Sequence, residues 1–427
     1  MSTYYIDAFE GSDKNDGLSP KTPKSSELGI AAKPGDKILF KRGTLMRRPL
    51  AVTSGNEDNP ITYGAYGEGD KPVFCGSVNM SDAALWTEEK ENIWFCDKVD
   101  YEACNFIFDY GESYGTLKWN LDELQSQGDF YDNNFGMTNS FRPVTPDHRI
   151  YMYSEGNPAL IYKDIECAVA YDRVLAKNVP HVSFENIRFL NAGMHAIAGD
   201  SESKNIRIHN CDFVNIGGCV WNNERRIRFG NAVEFWNVAE NIEITHCYFD
   251  NIYDSATSHQ GDSGCKRGEN IHIDNNVFLR VGMGAYELRN RIPANSSFSN
   301  NICAYAGEGF SKNGVVMPRN SEIWPEPMGH HIFMWRVDSE YEGVFEIKNN
   351  IFDTAPYGAC IYSVINPDCE KFVKFAANTY YTDNADLIVR LNGRNYSDFC
   401  DYHTMEPDSK YEKSDVETLV CKWKNTL

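Results

Sequence analysis

A degenerate repeat of the form Ile-x-Ile-x-Asn-Cys/Asn-x-Phe recurs through the second half of this chain and limits what it can fold into. The copies cover residues 184–189, 206–213, 242–249, 271–278, 298–302, 345–352 and 375–380. Measured from the first Asn position, the first six copies lie 24, 36, 29, 25 and 49 residues apart. Loops of variable length therefore interrupt one regular unit.

Apolar and polar residues alternate within each copy, which indicates β-strands rather than helices. A repeat of this size, built from short strands with no helical segment between them, predicts a parallel β-helix in which each copy supplies one coil. The repeated Asn suits a corner in the left-handed conformation, and stacked Asn side chains can form hydrogen bonds from coil to coil. A β-sandwich is the alternative, but a sandwich does not require the same residue type at each corner.

The composition of the 427 residues narrows the range of partners. The net charge is −20 and the pI is about 4.9, which opposes nucleic acid and anionic membrane as partners, because both need a basic surface. No window approaches the roughly 18 apolar residues of a membrane span. The start, Met1 to Ile6, has neither the basic beginning nor the apolar core of a signal peptide. We expect a cytoplasmic protein, or a secreted one whose signal peptide is absent from this sequence.

The cysteines are odd in number, at thirteen. Cys211 and Cys247 occupy the same position of the repeat, where we interpret them as small buried residues of a ladder rather than as part of a disulfide framework. The sequence contains neither a CxxC motif nor a zinc-type spacing of Cys and His. We therefore expect no structural metal, and no cofactor.

Segments ahead of the repeats carry a match to a known family. Gly11-Ser-Asp-Lys-Asn-Asp-Gly17-Leu-Ser-Pro20, Pro34–Gly43 and Asn59–Gly67 resemble the N-terminal part of bacterial right-handed parallel β-helix proteins of the pectate-lyase-like superfamily. The resemblance implies a right-handed solenoid capped by its first strand and a following helix. It also implies a carbohydrate-active protein, although this fold hosts hydrolases, lyases, epimerases and phage adhesins.

The predicted fold is therefore all-β, a single-stranded right-handed parallel β-helix with an N-terminal cap and loop insertions. We expect the cap and first coils in residues 1–75, a β-rich insertion in 76–165, the main solenoid with active-site loops in 166–382 and a C-terminal cap in 383–427. The acidic tail after Asp383 is expected to cover the last coil and to block end-to-end stacking of solenoids. The oligomeric state is left open.

Acidic residues inside otherwise apolar strands are the candidates for catalysis. Three segments that follow repeat cores, 231–237, 255–262 and 284–290, align on their alanines. Because side chains alternate between the two faces of a strand, this alignment predicts outward columns across three neighbouring coils. The first column contains Glu234, Ser258 and Glu287, and the second contains Trp236, Gln260 and Arg289.

The stacking of coils sets the separation of these carboxylates. Coils lie about 4.8 Å apart. Carboxylates one coil apart would have a separation close to that in retaining glycosidases, which is about 5 Å. Carboxylates two coils apart would have a separation close to that in inverting glycosidases, which is about 6.5 to 9.5 Å. Glu234 and Glu287, two coils apart, favour inversion. Asp254 is expected in the coil between them, where it would shorten the gap and act as a substitute partner.

The resemblance extends to β-helical glycoside hydrolases such as bacterial β-xylosidases. It implies that an acid in a Trp-flanked strand acts as nucleophile or base, with an acidic partner in a neighbouring coil. Glu234 and Glu287 match this pattern by type and setting, whereas Ser258 stands where a carboxylate is expected. That departure leaves retention and inversion both open. A surface Glu in a salt bridge is the structural alternative for each acid.

A second group of residues is expected to bind the substrate: Trp221, Trp236, His259, Asp262, Arg289, Lys312 and Arg336. Tryptophan rings present flat faces to sugars, and His259 has a pKa suited to proton transfer or could donate to a sugar hydroxyl. Lys312 belongs to a Pro-rich excursion, 311–331, of the kind that builds the wall of a binding site. For His259 and the aromatic residues, a place inside the solenoid is the alternative.

These features favour a glycoside hydrolase that acts on an oligosaccharide or small glycoside from the chain end, with carbohydrate as its partner. A polysaccharide lyase or uronate epimerase is the alternative, with Lys312, Arg289 or His259 as base and Arg or Ca²⁺ neutralising the uronate. The arginines at 225, 226 and 228 favour that alternative, whereas the lack of a compact carboxylate cluster for Ca²⁺ weighs against it. A non-catalytic glycan-binding β-helix is a third possibility.

Overall fold

Each copy of the repeat forms one coil of a right-handed parallel β-helix, which confirms the predicted fold class. The computed structural model describes residues 1–134, 144–170, 174–199, 202–261, 268–309, 328–337, 343–384 and 386–426. Three long sheets of ten, ten and nine strands run along the solenoid. In each full coil the chain passes through sheet 1, then sheet 2, then sheet 3, before it begins the next coil.

The strands of sheet 1 are Thr3–Ile6, Lys37–Lys41, Ile61–Tyr66, Val182–Glu185, Ser203–His209, Ala239–Thr245, Glu269–Asp274, Ser296–Ser299, Phe345–Lys348 and Val373–Ala376. The strands of sheet 2 are Leu45–Met46, Val73–Cys75, Arg188–Leu190, Asp212–Ile216, Tyr248–Ile252, Val277–Val281, Ile302–Ala304, Ile351–Asp353, Thr379–Tyr381 and Lys410–Tyr411. The strands of sheet 3 are Val174–Lys177, His195–Ala198, Val233–Trp236, Ser255–Gln260, Gly284–Arg289, His330–Trp335, Ile361–Val364, Val389–Leu391 and the antiparallel Arg394–Tyr396.

The apolar positions of the repeat stack inside the solenoid. Phe213 lies between Phe189 and Phe249, with ring centroids 5.3 and 4.7 Å away, and Phe278 continues the stack 4.7 Å beyond Phe249. All four rings are buried, and burial of such aromatic side chains supplies much of the free energy that holds neighbouring coils together. The same residue type therefore recurs because each ring packs on its equivalents above and below.

The first Asn of the repeat forms the corner between sheets 1 and 2. Asn186, Asn210, Asn275 and Asn300 have φ of 59°, 49°, 59° and 56°, and His246 takes the same conformation in its coil. This region is accessible to Asn at low cost because its short side chain can bond locally. The predicted left-handed corner is confirmed.

The second position of the repeat forms a continuous buried ladder, which we call the asparagine ladder: Cys211, Cys247, Asn276, Asn301, Asn350, Asn378 and, at its end, Glu406. The backbone N–H of each Asn donates to the side-chain oxygen one coil further on, for example from Asn276 to Asn301 Oδ1 at 2.9 Å and from Asn378 to Glu406 Oε1 at 2.9 Å. Cys211 N–H donates to Cys247 Sγ at 3.4 Å. Both thiols are free and buried, in agreement with the interpretation of these cysteines as ladder residues.

The N-terminal segment differs from what the resemblance implies. Among the described residues, those between Ile6 and Lys37 form turns and an isolated bridge from Ile6 to Lys24, and no helix follows the first strand. Gly11, Gly17 and the nearby prolines favour turns over a helix. The expected capping helix is therefore absent from this part of the described chain.

A section of mostly antiparallel strands, which we call the insertion, interrupts the coils between Gly76 and Ala170. Its strands are Ser77–Asn79, Thr87–Lys90, Ile93–Cys96, Ala103–Phe108, Ser113–Tyr114, Thr116–Leu117, Asp129–Asp132, Ile150–Tyr153 and Ile165–Val169. They form two sheets around their own apolar core. The chain returns where it left, since Val169 N–H donates to Gly76 O at 3.2 Å. Arg47 of the first coils donates through both terminal nitrogens to Glu166, at 2.7 and 2.6 Å.

The remaining elements are short. A hairpin of Cys219–Asn222 and Ile227–Phe229 leaves the coil ahead of Val233. Within the described residues, the α-helices are Pro158–Ile161, Pro367–Glu370, Phe399–His403 and Val416–Lys424, and the 3₁₀ segments are Ala83–Leu85, Asp109–Gly111 and Leu121–Glu123. The last helix packs on sheet 2, where Trp423 Nε1 donates to Asn275 O at 2.8 Å. None of the helices in the described residues has the length and apolar character needed to cross a membrane.

Candidate functional site

Sheet 3 places the two candidate glutamates on its outward face. Glu234 pairs with Ser258 of the next coil, and Ser258 pairs with Glu287 of the coil after that. Their chain neighbours, such as Phe235 and Leu288, lie in the core. The alignment predicted from the sequence is therefore confirmed, and Glu234, Ser258 and Glu287 form one outward column, which we call the carboxylate column.

The column fixes the distance between its two acids through the spacing of strands. Two strand spacings of about 4.8 Å each separate the backbones of Glu234 and Glu287 by about 9.6 Å. This backbone separation lies just above the range of about 6.5 to 9.5 Å that separates the carboxyl groups of inverting glycosidases.

Glu234 lies in a polar pocket that is open to solvent on one side. Its side chain is 14% exposed. Asn231 Nδ2 and Gln260 Nε2 both donate to Oε2, the second at 3.1 Å. His195 Nδ1 lies 3.8 Å from the same oxygen, but it accepts a hydrogen bond from Asn231 N–H at 3.0 Å. His195 therefore carries its proton on Nε2, and the amides hold the Glu234 carboxylate.

Glu287 faces outward from its strand but is only 1% exposed. Trp335 Nε1, on the next strand of sheet 3, donates to Oε1 at 2.8 Å. Ser255 Oγ donates to Oε2 at 3.0 Å. Both carboxylate oxygens thus accept a hydrogen bond from a neutral donor, which fixes the orientation of the group.

A chain of hydrogen bonds joins the two glutamates. Asn231 Nδ2 donates to Glu234 and also to Ser258 Oγ at 3.2 Å. Asn231 Oδ1 accepts from Ser255 N–H at 2.9 Å, and the Ser255 hydroxyl holds Glu287. Sequence reasoning did not single out Asn231 or Ser255, although both open the aligned segments. Their roles depend on hydrogen bonds between neighbouring coils, and the sequence of a single coil does not show these bonds.

Asp254 lies in the intermediate coil, as expected. Its backbone N–H donates to Gly230 O at 3.3 Å, and its carbonyl accepts from Met283 N–H at 2.8 Å. It precedes the strand Ser255–Gln260, so it sits at the corner of the coil and outside the carboxylate column. Its side chain is 3% exposed. Its use as a substitute partner stays a prediction.

The second column is a stack of aromatic rings and guanidinium groups, which we call the stacked wall. The Arg289 guanidinium lies 5.0 Å from the ring centroid of Trp236 and 5.3 Å from that of Trp335. Arg336 follows at 4.7 Å from the Trp335 ring and is exposed. Since Trp335 also bonds Glu287, the wall and the carboxylate column share a residue. Trp236, Arg289 and Arg336 are therefore brought together beside the glutamates.

His259 does not face a substrate. It pairs with Phe235 and Leu288 on the inward face of sheet 3 and is 2% exposed. Burial and the charge of Arg291 lower its pKa to about 4, and a side chain at Gly268 would collide with its ring. Because Ser258 faces outward, the alternation of the strand turns His259 inward. Its expected place as a substrate ligand does not fit the structure.

The other predicted ligands are separated from the column or lie outside the described residues. Trp221 is 48% exposed on the hairpin that precedes Glu234. Asp262 and Lys312 belong to the segments outside the described residues. Arg228 is fully buried, and its guanidinium donates to Gly218 O, Cys104 O and Asn105 Oδ1, each at 2.8 Å. It holds the hairpin to the insertion, so the arginine cluster that favoured a uronate ligand loses a member.

One group within the described chain has the donor set for a metal ion. The ligand atoms of Glu102, Cys104 and Cys219 all lie within 4.8 Å of one another, and the three residues are buried where the insertion meets the hairpin. Burial raises the pKa of the Glu102 carboxyl well above its usual range, and Cys219 Sγ donates to Glu102 Oε1 at 3.7 Å. The three residues therefore form an internally bonded cluster in this structure.

Comparison with solved structures supports the fold. The complex of XylC with xylose shares 12% identity over 91% of this chain and 70% of that chain, with a TM-score of 0.56. The native GH136 lacto-N-biosidase from Eubacterium ramulus shares 14% identity over 97% of this chain and 67% of that chain, with a TM-score of 0.50. The fold is thus that of right-handed β-helix carbohydrate-active proteins, as the resemblance implied.

Sequence comparison gives a shorter match. A lacto-N-biosidase from Bifidobacterium longum subsp. longum is 34% identical over 98 residues, which are 21% of this chain and 6% of that protein. The chain therefore spans a small part of the length of that relative. No protein-family model matches the chain.

Proposed function

We propose that this protein is a glycoside hydrolase whose acid and base are Glu234 and Glu287. The observation that carries the proposal is the carboxylate column. Two glutamates stand two coils apart on one outward face, each held by neutral donors, beside a stacked wall of tryptophan and arginine. The short match to a lacto-N-biosidase supports a hydrolase.

The separation supports an inverting reaction. One carboxylic acid protonates the glycosidic oxygen, and the other carboxylate removes a proton from the water that attacks the anomeric carbon from the opposite face. The glycosidic C–O bond breaks as the new C–O bond forms, and the proton from water stays on the base. Asp254 is the alternative partner, one coil closer to each glutamate, and it would favour a retaining reaction.

The surroundings support action on the end of an oligosaccharide or on a small glycoside. The stacked wall offers ring faces and planar donors to a neutral sugar. On the other side of Glu234, the hairpin Cys219–Phe229 leaves the coil toward the insertion and carries the exposed Trp221. A site bounded in this way suits a substrate end better than the middle of a polymer.

The test is hydrolysis of a panel of aryl glycosides and neutral oligosaccharides, followed by release of reducing ends and by absorbance near 235 nm, where unsaturated lyase products absorb. Glu234→Gln and Glu287→Gln should each lower kcat about 10²- to 10⁴-fold. The variant of the acid should keep more activity on substrates with a good leaving group. The variant of the base should regain turnover with added azide. Nuclear magnetic resonance of the first product gives the anomeric configuration.

Several outcomes would contradict the proposal. New absorbance without a matching hydrolysis product indicates a lyase, and unchanged kcat in both Gln variants removes the pair from the mechanism. Retention of configuration, together with loss of activity in Asp254→Asn, would indicate that Asp254 and one of the glutamates form the catalytic pair. Silence of the wild-type protein on the whole panel, with sugar binding intact, would favour a non-catalytic β-helix.

A further inference from the structure

A cleft of about 580 Å³ lies between the insertion and the outward face of sheet 2. Its floor is built from neighbouring coils and includes Arg188, Leu190, Val214 and Asp250. Its other wall is the insertion, including Tyr110 and Tyr114. The carboxylate column stands on sheet 3, so this cleft is a separate site that the proposed function does not use.

Two of the residues that line the floor each have a buried polar atom that lacks a hydrogen-bond partner in the described part of the chain. Asp250 is 8% exposed. Its Oδ2 accepts from Arg280 Nη2 and from Tyr248 Oη, the latter at 2.8 Å, but its buried Oδ1 has no hydrogen-bond partner within the described residues. The same holds for the buried Nε of Arg188. A buried polar atom without a partner costs about 1–3 kcal/mol, so a ligand that displaces the side chains covering these two atoms would gain by bonding them.

The rim of the cleft carries Tyr110, whose backbone has an unfavourable left-handed conformation. Asp109, Tyr110 and Gly111 are three consecutive left-handed residues, with φ of 52°, 61° and 97°. For Tyr this conformation is unfavourable. The turn is nonetheless held in place, since Asp109 Oδ1 accepts from Lys163 N–H at 2.7 Å and Asp109 N–H donates to Asp164 O at 2.9 Å. The result is a Tyr110 side chain that lines the cleft while it is 81% exposed.

The charges of the cleft select the class of ligand. Arg47, Arg188 and Arg280 line it together with Asp164, Glu166 and Asp250, so the formal charges cancel. Arg47 is paired with Glu166, and Arg280 with Asp250. A polyanion or a polycation would meet a like charge for each opposite one. A neutral ligand with both hydroxyl donors and acceptors, and with a face that stacks on Tyr, fits better.

We infer that this cleft is a second, non-catalytic binding site for a neutral oligosaccharide. Tyr110 stacks on a sugar ring, Asp250 Oδ1 accepts from a sugar hydroxyl, and Arg188 Nε donates to a sugar oxygen. The site would hold one part of a glycan on the sheet 2 side of the insertion, while hydrolysis takes place on the sheet 3 side. It stands on its own residues and does not require the proposed function.

The experiment is isothermal titration calorimetry of xylotriose, cellotriose and lacto-N-tetraose, with trigalacturonate as the anionic probe. It uses the full-length Glu287→Gln protein to limit turnover. Onto that background are placed Tyr110→Asn, which tolerates the left-handed backbone without a ring, and Tyr110→Phe, which keeps the ring. Arg188→Met removes the donor and keeps part of the stem. Melting temperatures of all variants control for folding.

We expect at least one neutral trisaccharide or tetrasaccharide to bind, with at least tenfold weaker affinity for Tyr110→Asn and Arg188→Met and nearly unchanged affinity for Tyr110→Phe. Equal affinity in all the variants would overturn the inference, as would binding of trigalacturonate alone or no binding of any neutral sugar at about 10 mM. These results are separable from the proposed function, which is tested by the turnover of the Glu287→Gln protein itself.

Discussion

The asparagine ladder and the carboxylate column are both stacks of polar side chains with one residue per coil, yet they are built differently. In the ladder Asn recurs in four successive coils, and each of the first three bonds to the equivalent Asn of the next coil. In the column the residue changes at every coil, from Glu to Ser to Glu. Its two glutamates bond instead to side chains of other types, in the same coil or in a neighbouring one: Asn231, Ser255, Gln260 and Trp335.

This difference distinguishes the polar residues that stabilise a solenoid from those that serve its activity. A repeated buried amide satisfies itself and adds the same stabilisation at each coil. A column that breaks the repeat gains no such regular bonding, and each acid needs its own supporting residues. Substitutions in the ladder should therefore lower stability, whereas substitutions in the column should lower activity.

The largest effect on stability is expected for Asn301→Leu in the middle of the ladder. Asn301 Oδ1 accepts from the N–H and Nδ2 of Asn276, and its Nδ2 donates to Ile273 O and Asn350 Oδ1. Leu would leave several buried groups without partners, at about 1–3 kcal/mol each. We expect the free energy of unfolding to fall by about 3–5 kcal/mol, measured by urea denaturation. If the free energy of unfolding fell by less than about 1 kcal/mol, as little as for Glu287→Gln, the distinction between the stabilising ladder and the functional column would be contradicted.

A smaller, pH-dependent effect is expected for His259→Leu on the inward face. Folded His259 has a pKa of about 4, whereas the unfolded chain takes up this proton below about pH 6.5. The unfolded state therefore binds more protons in between, and stability is lost as the pH falls from about 6.5 to 4, by about 3 kcal/mol at the lower end. His259→Leu should lose less stability between pH 7.5 and 4.5, as followed by melting temperature. Parallel pH profiles for the two proteins would contradict the neutral, buried state of His259.

Trp335→Phe should sharpen the link between the stacked wall and the carboxylate column. Phe keeps an aromatic ring beside Arg289 but cannot donate to Glu287 Oε1. A hydrogen bond to a charged group contributes about 1.5–3 kcal/mol, so we expect kcat/KM to fall about 10- to 100-fold with little change in melting temperature. Trp423→Phe, which removes a bond to Asn275 O far from the column, is the matched control. Equal kinetics for the two variants would show that Trp335 does not position Glu287.

The smallest effect is expected where the ladder ends. Glu406 accepts from Asn378, Tyr380 and Tyr402, and burial raises the pKa of its carboxyl. Glu406→Gln resembles the neutral form and keeps an acceptor for Asn378. We expect the free energy of unfolding at pH 7 to change by about 1 kcal/mol or less, with unchanged turnover. A large loss of activity would mean that a buried glutamate outside the column also supports catalysis.

Much of the fold could be predicted because the same sequence pattern recurs in every coil. The period of the repeat indicates the strands, the recurrent Asn marks the corner, and the alanines at 232, 256 and 285 set the register of the carboxylate column. That same register places His259 inward beside Phe235 and Leu288. The inward position of His259 therefore follows from strand alternation, whereas its residue type alone favours a ligand role.

The rest depends on contacts that no repeat encodes. The bond from Trp335 to Glu287 joins residues 48 positions apart, across a loop whose length differs from that of the other coils. The cleft at Tyr110 exists because the insertion docks on sheet 2 through pairs such as Arg47 and Glu166. Docking of a non-repeating section on a repeating one follows from shape and charge in three dimensions, which periodicity does not describe.

The return of the chain to its point of departure, where Val169 bonds Gly76, has a consequence for how this scaffold can change. Stacking of the strand Val182–Glu185 on Ile61–Tyr66 spans the insertion, and the entropic cost of closing such a span grows only slowly with its length. The coils therefore place little demand on the size of what lies between Gly76 and Val169. We therefore expect that another module with equally close ends can replace this section while the coils beneath keep their register.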